Sequence, residues 1–433
     1  MKFGHILGMN ARNHLFTSRY NKRESKRIAD SKLLTKSTLQ KSKLPVPRLY
    51  RVFRSEGDLE KYDLMRLPEE FVIKPNKGLG GEGIVVVEKR GKYAGEWVTA
   101  DGREVNVSDL KLHVHDILEG RFSRDDLPDI AFVEERVRIH PVFEKHAYHG
   151  TPDIRVIVFN RVPVMAMLRI PTQDSAGRAN LFQGAVGAGV DLATGITTYA
   201  ISYTKEIVFM PGTRRKVRGI QIPEWDKVLE LAVRCQEVSG LGYLGADIVL
   251  QPSIKTLGKT FPKVLELNSQ PGLKIQLCNK AGLRRRLERV EGLDVDDFIK
   301  GIKIAKQLFG DRKLSHLEKG AITIGPFEEV EVVGIDGERK IIKALIDTGA
   351  YSSSIDEPLA RELGLLTPES ILYQGSYSSA LGHQKRPVVL ATFYLAGKKI
   401  KTKVNVADRS RRKRKFLVGR RDLSDFSVEL KKN

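Results

Sequence analysis

Residues 242–272 limit the fold more than any other stretch of the chain. Two apolar runs, Gly245-Ala-Asp-Ile-Val-Leu250 and Lys263-Val-Leu-Glu-Leu-Asn268, flank a turn segment bearing Pro, Ser and Gly, and this pattern predicts an antiparallel strand pair. Asp247, Glu266 and Asn268 interrupt the apolar strands. Glu266 and Asn268 stand two apart, so they share a face, and that face offers only oxygen ligands. A hard cation such as Mg²⁺ prefers carboxylate and amide oxygens in the company of substrate phosphates, which makes a nucleotide-bearing metal site one reading of the pair. A strand pair with one wet face fits the spacing equally well.

The chain, at 433 residues, suits about two or three domains with a large core. No apolar run approaches the roughly 20 residues of a membrane-crossing helix, so no membrane partner is expected. The opening stretch, broken by His5, Asn10 and Arg12, is too short for a signal peptide, and a cytoplasmic location is expected. Cys235 and Cys278, the only cysteines, lack C-x-x-C spacing and are expected to be packing residues in a reducing compartment. Lys and Arg number 74 against 53 Asp and Glu, a net charge of +21, and such a field attracts anions. Nucleotide, acidic peptide, RNA and ribosome are the partner classes it admits. The densest basic run, residues 409–415, reads as a solvated loop ahead of a nucleic-acid site, since no RNA-binding motif accompanies it.

Residues 1–31 are polar and basic and are expected to form an extended lead-in. The spacing over Asp30–Gln40 predicts a helix capped by Asp30 or Ser31, with Leu33, Leu34, Ser37 and Gln40 turning through one side. Pro45 and Pro47 stop it. Next comes a strand ending at Lys74, a turn with Gly78, Gly80, Gly81 and Gly83, and a second strand. Such glycines let a backbone approach phosphate oxygens closely. Because a strand follows them, this is neither a P-loop nor a dinucleotide-binding turn, and a hairpin without a ligand is equally compatible. His113, His115, His146 and His149 lack companion ligands and read as surface or partly packed residues.

Strands are expected over residues 131–137, 151–159 and 162–170, with Asp153 and Arg155 on one face. With Arg169 and Arg178 downstream, they form either a structural ion pair or a triphosphate clamp. Residues 222–238 predict a helix whose buried stripe is Trp225, Val228, Leu229, Ala232 and Cys235. Two basic amphipathic helices, over 281–291 and 295–308, close this part of the chain. Beyond residue 320 short strands over 328–333, 340–346, 388–394 and 400–406 alternate with turns, the pattern of a separate β domain.

Asp30-Ser-Lys-Leu-Leu-Thr, Val72-Ile-Lys-Pro-Asn with its glycine loop, Asp153-Ile-Arg155, Arg178-Ala-Asn180, Gly245-Ala-Asp247 and Glu266-Leu-Asn-Ser-Gln-Pro-Gly272 stand in an order and spacing that resembles ATP-grasp enzymes. The chain is most similar to RimK-type alpha-L-glutamate ligases and their relatives, over roughly residues 1–308. The resemblance implies an α+β chain in which a lead-in, 1–31, precedes an ATP-grasp domain, 32–308. RimK-type enzymes carry a fuller N-terminal domain ahead of the Asp-x-Lys motif, so the short lead-in is closer to smaller ligase-like relatives.

The activity implied is ATP-dependent carboxylate–amine ligation through an acyl phosphate. Glutamate or another amino acid would join a carboxylate-bearing acceptor, which is a peptide, a protein or a small molecule. By matching motif positions, Lys32 and Lys74 would contact nucleotide phosphates, with the Gly80 and Gly81 backbone beside them. Glu135, with the backbone of Arg136 and Val137, would flank adenine, and Asp153 would belong to the nucleotide pocket. Arg178 and Asn180 would hold phosphate or the acyl intermediate, Arg178 in a catalytic role. Asp247, Glu266 and Asn268 would hold two Mg²⁺, or Mn²⁺ in their place.

After a linker at 309–320, residues 321–433 carry a second resemblance. Ala344-Leu-Ile-Asp-Thr-Gly-Ala350 and Phe416-Leu-Val-Gly-Arg-Arg-Asp-Leu423 look like the two signatures of retropepsin-type aspartic proteases, especially the RimK-associated "ATP-dependent zinc proteases". Asp347 matches the catalytic aspartate. Hydrolysis of this kind needs two carboxylates sharing a proton, so activity would require a homodimer. A β domain that only binds or dimerises is equally compatible. Two other readings of the whole chain stand beside the ligase: a peptidase with a regulatory nucleotide site, and a basic ribosome- or RNA-associated binding protein.

Overall fold

A computed structural model describes residues 5–78, 80–123, 126–253, 260–310, 322–379, 382–423 and 426–428. The chain divides into two compact units, Met1–Asp311 and Arg312–Asn433. Most of the expected linker, residues 311–320, lies outside the described residues.

The first unit holds two antiparallel sheets. The smaller runs in spatial order Leu49–Phe53, Ala131–Glu134, Phe71–Pro75, Val85–Arg90, Glu96–Thr99 and Glu104–Asn106. Phe71, Trp97 and Val133 pack beneath it against Leu110, Val114 and Ile117 of the helix Val107–Leu118. Asn106 and Asp109 start that helix with a reciprocal capping box, which satisfies its first free N–H groups. The larger sheet runs Lys205–Ile207, Thr197–Ser202, Val186–Val190, Val162–Ile170, Asp153–Phe159, Tyr243–Pro252 and Thr260–Asn268. The expected strand pair is present, with Asp247 opposite Glu266 and Gly245 opposite Asn268. In the larger sheet the strands Asp153–Phe159 and Val186–Val190 are buried throughout, and the helix Trp225–Ser239 covers the sheet with the whole predicted stripe from Trp225 to Cys235.

The N-terminal segment is not extended. Residues 9–20 form one helical run with a π-helical middle, and the helices Arg23–Ala29 and Lys32–Lys41 follow. Leu7 and Phe16 are buried, and Phe16 meets Phe159 edge-on with centroids 5.5 Å apart. Two anchors nine positions apart, with a wider π turn between them, leave no 3.6-residue period in the sequence. The helix Lys32–Lys41 begins on Ser31 as expected, its hydroxyl accepting from Leu34 N, but it faces the other way. Thr35, Lys36 and Leu39 point inward, while Leu34 is 42% exposed. A buried ion pair on Lys36, described below, turns the helix.

The second unit is a barrel-like β fold of strand order Phe327–Val333, Arg339–Asp347, Phe416–Gly419, Ser354–Asp356, Lys398–Ala407, Gly382–Leu395 and Ile371–Ser379. An additional pairing between Phe327–Val333 and Gly382–Leu395 closes the ring, and Phe393 and Phe416 fill its centre with centroids 5.1 Å apart. The basic run 409–415 is a largely exposed loop of turns and bends, and its two ends are anchored. Buried Asp356 accepts from Arg409 N at 2.7 Å and pairs with Lys415 at 3.3 Å, which leaves Arg411, Arg412 and Lys413 as its exposed tips. Among the described residues no helix is long and apolar enough to cross a membrane.

Candidate active site

A cavity of about 530 Å³ opens between the two sheets of the first unit. Thirteen of the fourteen expected site residues line it: Lys32, Lys74, Gly80, Gly81, Glu135, Arg136, Val137, Asp153, Arg178, Asn180, Asp247, Glu266 and Asn268. Asp347 belongs to the second unit. Val72, Val86, Val137, Val249 and Leu265 contribute an apolar slot to its lining.

Sequence-distant pieces meet here through specific bonds. Lys32 Nζ donates to Gly78 O at 2.7 Å, and Asn180 Nδ2 donates to Gly80 O at 3.3 Å. Gly80 and Gly81 have φ of +65° and +84°, values that L side chains resist, and the Arg178 side chain packs directly against Gly81. Buried Asn76 accepts from Ser31 Oγ and from Leu33 N, both at 2.9 Å, and so fastens the start of the helix to the strand that bears Lys74. Glu135 accepts from Arg48 N at 2.9 Å and from Lys263 Nζ at 2.6 Å. The Arg136 side chain is spent on Glu70 and Glu88, so its backbone is what it offers the cavity.

The polar floor is a four-member charge chain built by strand register. Asp153 faces Arg169 across one strand pair, and Asp247 faces Arg155 across the next. Arg155 grips Asp247 with two bonds of 2.6 Å. Arg169 bonds Asp153 at 2.5 and 2.7 Å and reaches Asp247 at 2.7 Å. Burial pushes the Asp247 carboxyl up, but the Arg155 and Arg169 guanidiniums overrule it and hold the group well below the usual range. Asp153 moves the other way: burial and the Asp247 charge raise it against the pull of Arg169. At the other end Glu134 is buried with Lys36 at 2.7 Å and Lys74 at 2.5 Å. Burial would raise Glu134, and the two ammoniums hold it low instead. Burial lowers Lys32 and Lys36.

The donor set fits a hard cation in part. Asp247 Oδ2 already takes bonds from Arg155, Arg169 and Asn268 Nδ2. Glu266, 36% exposed at its side chain with Arg155 no closer than 3.9 Å, is the open carboxylate. Among the described residues no three His, Cys, Asp or Glu side chains gather as a metal nest, so a cation here needs Glu266, the Asn268 amide and oxygens of the substrate.

The sequence alone gives Lys36 and Glu134 no role, nor Asn76 beyond its place in the Val72–Asn76 motif; Arg169 stands there only as one candidate of an ion pair or clamp, and the N-terminal segment as an extended lead-in. A lysine about one and a half turns from a cap and an acid closing the apolar run Ala131-Phe-Val-Glu134 are the visible signals for the first two. Arg12 donates to Gln270 O at 3.2 Å and Pro271 O at 3.1 Å, and Asn21 donates to Ser269 O at 3.2 Å, so the segment buttresses the turn after Asn268.

Among curated proteins none matches this chain. Solved structures with similar folds include the ATP-grasp ligase PsnB complexed with a minimal precursor, at 16% identity, TM-score 0.32, and 63% of this chain against 62% of that one. The D-alanine–D-alanine ligase from Bacillus anthracis complexed with ATP is similar at 15% identity, TM-score 0.35, and 66% against 69%. The protein Lpg0085 from Legionella pneumophila matches at 21% identity, TM-score 0.17, and 25% against 93%. TM-scores this low carry no argument about chemistry. The model of one family, described as sugar-transfer associated ATP-grasp, matches residues 11–292, the stretch that builds both sheets and the cavity, and the chain belongs to that family.

Proposed function

We propose that the first unit is an ATP-dependent carboxylate–amine ligase. The observation that carries this reading is the convergence of Lys32, Lys74, the glycine loop, Arg178 and Asn180 with Asp247, Glu266 and Asn268 on one cavity. In the reaction a carboxylate oxygen attacks the γ-phosphoryl of ATP, here a substrate, ADP leaves, and an acyl phosphate forms. An amine then attacks the acyl carbon, loses a proton, and expels phosphate to leave an amide. Such chemistry needs charge neutralisation and alignment more than a nucleophilic side chain. Lys32 and Lys74 neutralise the phosphates, Arg178 steadies the transferring group beside the Gly81 backbone, and the Val72, Val137 and Leu265 slot takes the base. Mg²⁺, when bound by Glu266 and Asn268, supplies further neutralisation of phosphate charge.

The RimK-type likeness favours glutamate as the amine and a peptide or protein as the acceptor. The family's association with sugar transfer favours instead a carboxylate carried on a sugar. The test is Mg²⁺-dependent phosphate release from ATP, screened over the twenty amino acids with peptide and uronic-acid pools. Amine-stimulated release names one substrate. No release in any mixture, with ATP bound, would defeat the ligase reading and leave a regulatory nucleotide site.

We read the second unit as retropepsin-like. Asp347 ends its strand opposite Gly419, and its Oδ1 accepts from Gly349 N at 2.9 Å and Ala350 N at 3.1 Å, which aims the carboxylate from a tight loop. Peptide cleavage would then require a second copy. A monomer at working concentration that still cleaves would remove this reading.

A further inference from the structure

Lys74 and Glu134 line the cavity, and Lys36 does not; it stands behind Glu134. The Lys36 and Glu134 side chains are each 5% exposed and that of Lys74 is 14% exposed, so water screens their charges poorly. Glu134 Oε2 takes Lys36 at 2.7 Å and Oε1 takes Lys74 at 2.5 Å, while Lys36 Nζ also donates to Pro47 O at 2.6 Å. One carboxylate therefore serves two ammoniums, and the group carries a net positive charge. Were Lys36 apolar, Glu134 and Lys74 would form a closed neutral pair and the cavity would lose a cation without losing Lys74. A buried lysine on the inward face of a helix costs desolvation, and packing alone gives no reason for it.

We propose that Lys36 is a positioning residue that satisfies Glu134 from behind, so that Lys74 presents an uncompensated charge to a polyphosphate in the cavity. This rests on the phosphate-binding part of the proposed function. Lys32, whose Nζ rests on Gly78 O, has Glu266 and Asp129 near it as well as Lys74, so its own charge is already partly offset.

The experiment measures binding of inorganic tripolyphosphate and of ATP, by calorimetry on the full chain, to the unaltered protein, Lys36→Met and the double variant Lys36→Met/Glu134→Gln. Thermal unfolding of each variant confirms that it folds. Lys36→Met should weaken both ligands by about tenfold or more, with a shallower dependence on salt. The double variant removes the carboxylate that Lys74 would otherwise be closed upon, and should recover most of the loss. Equal binding by Lys36→Met overturns the proposal. So does a double variant as weak as the single one, because Lys36 would then matter for packing or Glu134 for aiming Lys74. Unaltered protein that binds neither ligand overturns this inference together with the phosphate reading. Tripolyphosphate binding with the expected pattern, but without amine-stimulated turnover, upholds the inference and defeats the ligase reading alone.

Discussion

The cavity of the first unit and the Asp347 loop of the second display acids in opposite ways. Asp247 and Glu134 are buried, and each is held by two cationic side chains from other strands or helices. Asp347 is partly open, and one of its oxygens is held by two backbone N–H groups of its own loop. The first arrangement needs the whole fold in place before the charges make sense, whereas the second is made within four residues. An acid of the first kind is costly to remove, because its partners are left charged in a poor solvent; an acid of the second kind costs little.

That contrast breaks most easily at Asp247. Asp247→Ala should destabilise the first unit by about 3–5 kcal/mol in urea unfolding, since Arg155 and Arg169 lose their shared counter-charge. Asp347→Ala should cost the second unit about 1 kcal/mol or less, comparable to loss of a cap. Similar losses at the two sites would erase the distinction. Phe16→Ala should cost about 3–4 kcal/mol if the N-terminal helices belong to the core of the first unit, and a loss below about 1 kcal/mol would return them to the status of an appendage.

Glu266 sharpens the comparison from within the cavity, because it is the half-open acid there. Glu266→Ala should reduce amine-stimulated phosphate release by about a hundredfold or more while leaving urea unfolding nearly unchanged. The pH dependence follows from the sign of each shift. Glu134 and Asp247 are depressed on folding, so their contribution is full above the ordinary carboxylate range and is lost as pH falls through their folded values. Asp153 is raised and so opposes them, its contribution present at low pH and lost as pH rises. Between neutrality and about pH 4 Asp153 takes up its proton and should raise the urea midpoint of the first unit, below about pH 4 Glu134 and Asp247 should lower it, and Glu134→Gln should flatten that fall. The smallest expected signal is at the thiols. Burial pushes Cys278 up to about 12 and raises Cys235 further, so neither should react with a disulfide reagent at pH 8 until the protein unfolds.

How much was visible beforehand tracks how local each feature is. The strand pair bearing Asp247, Glu266 and Asn268, the glycine hairpin and the stripe from Trp225 to Cys235 each follow a period of two or of 3.6, and each stands where the pattern puts it. The floor of the cavity was half legible: Asp153 and Arg155 share a face by alternation, but the order in which they pair with Arg169 and Asp247 depends on which strands adjoin. Lys36 draws no notice because the helix pattern puts Leu33 and Leu34 on the side that counts, and only a partner 98 residues away makes a lysine the better inward choice. Phe16 escaped for a related reason, its helix being defined by contact with Phe159 and Tyr243 and not by repetition.

Asn76 has a mechanical consequence. Its side chain bonds Ser31 and Leu33, its carbonyl oxygen accepts from Lys32 N, and its own N–H bonds Ile130 O, so the roots of Lys32 and Lys74 are riveted to one frame. The glycines begin two residues later. Any closing of that loop must therefore pivot beyond Asn76, with the two lysines as the stationary jaw and the Gly80–Gly81 backbone as the moving one. Stiffening the pivot would slow the grip without altering what is gripped.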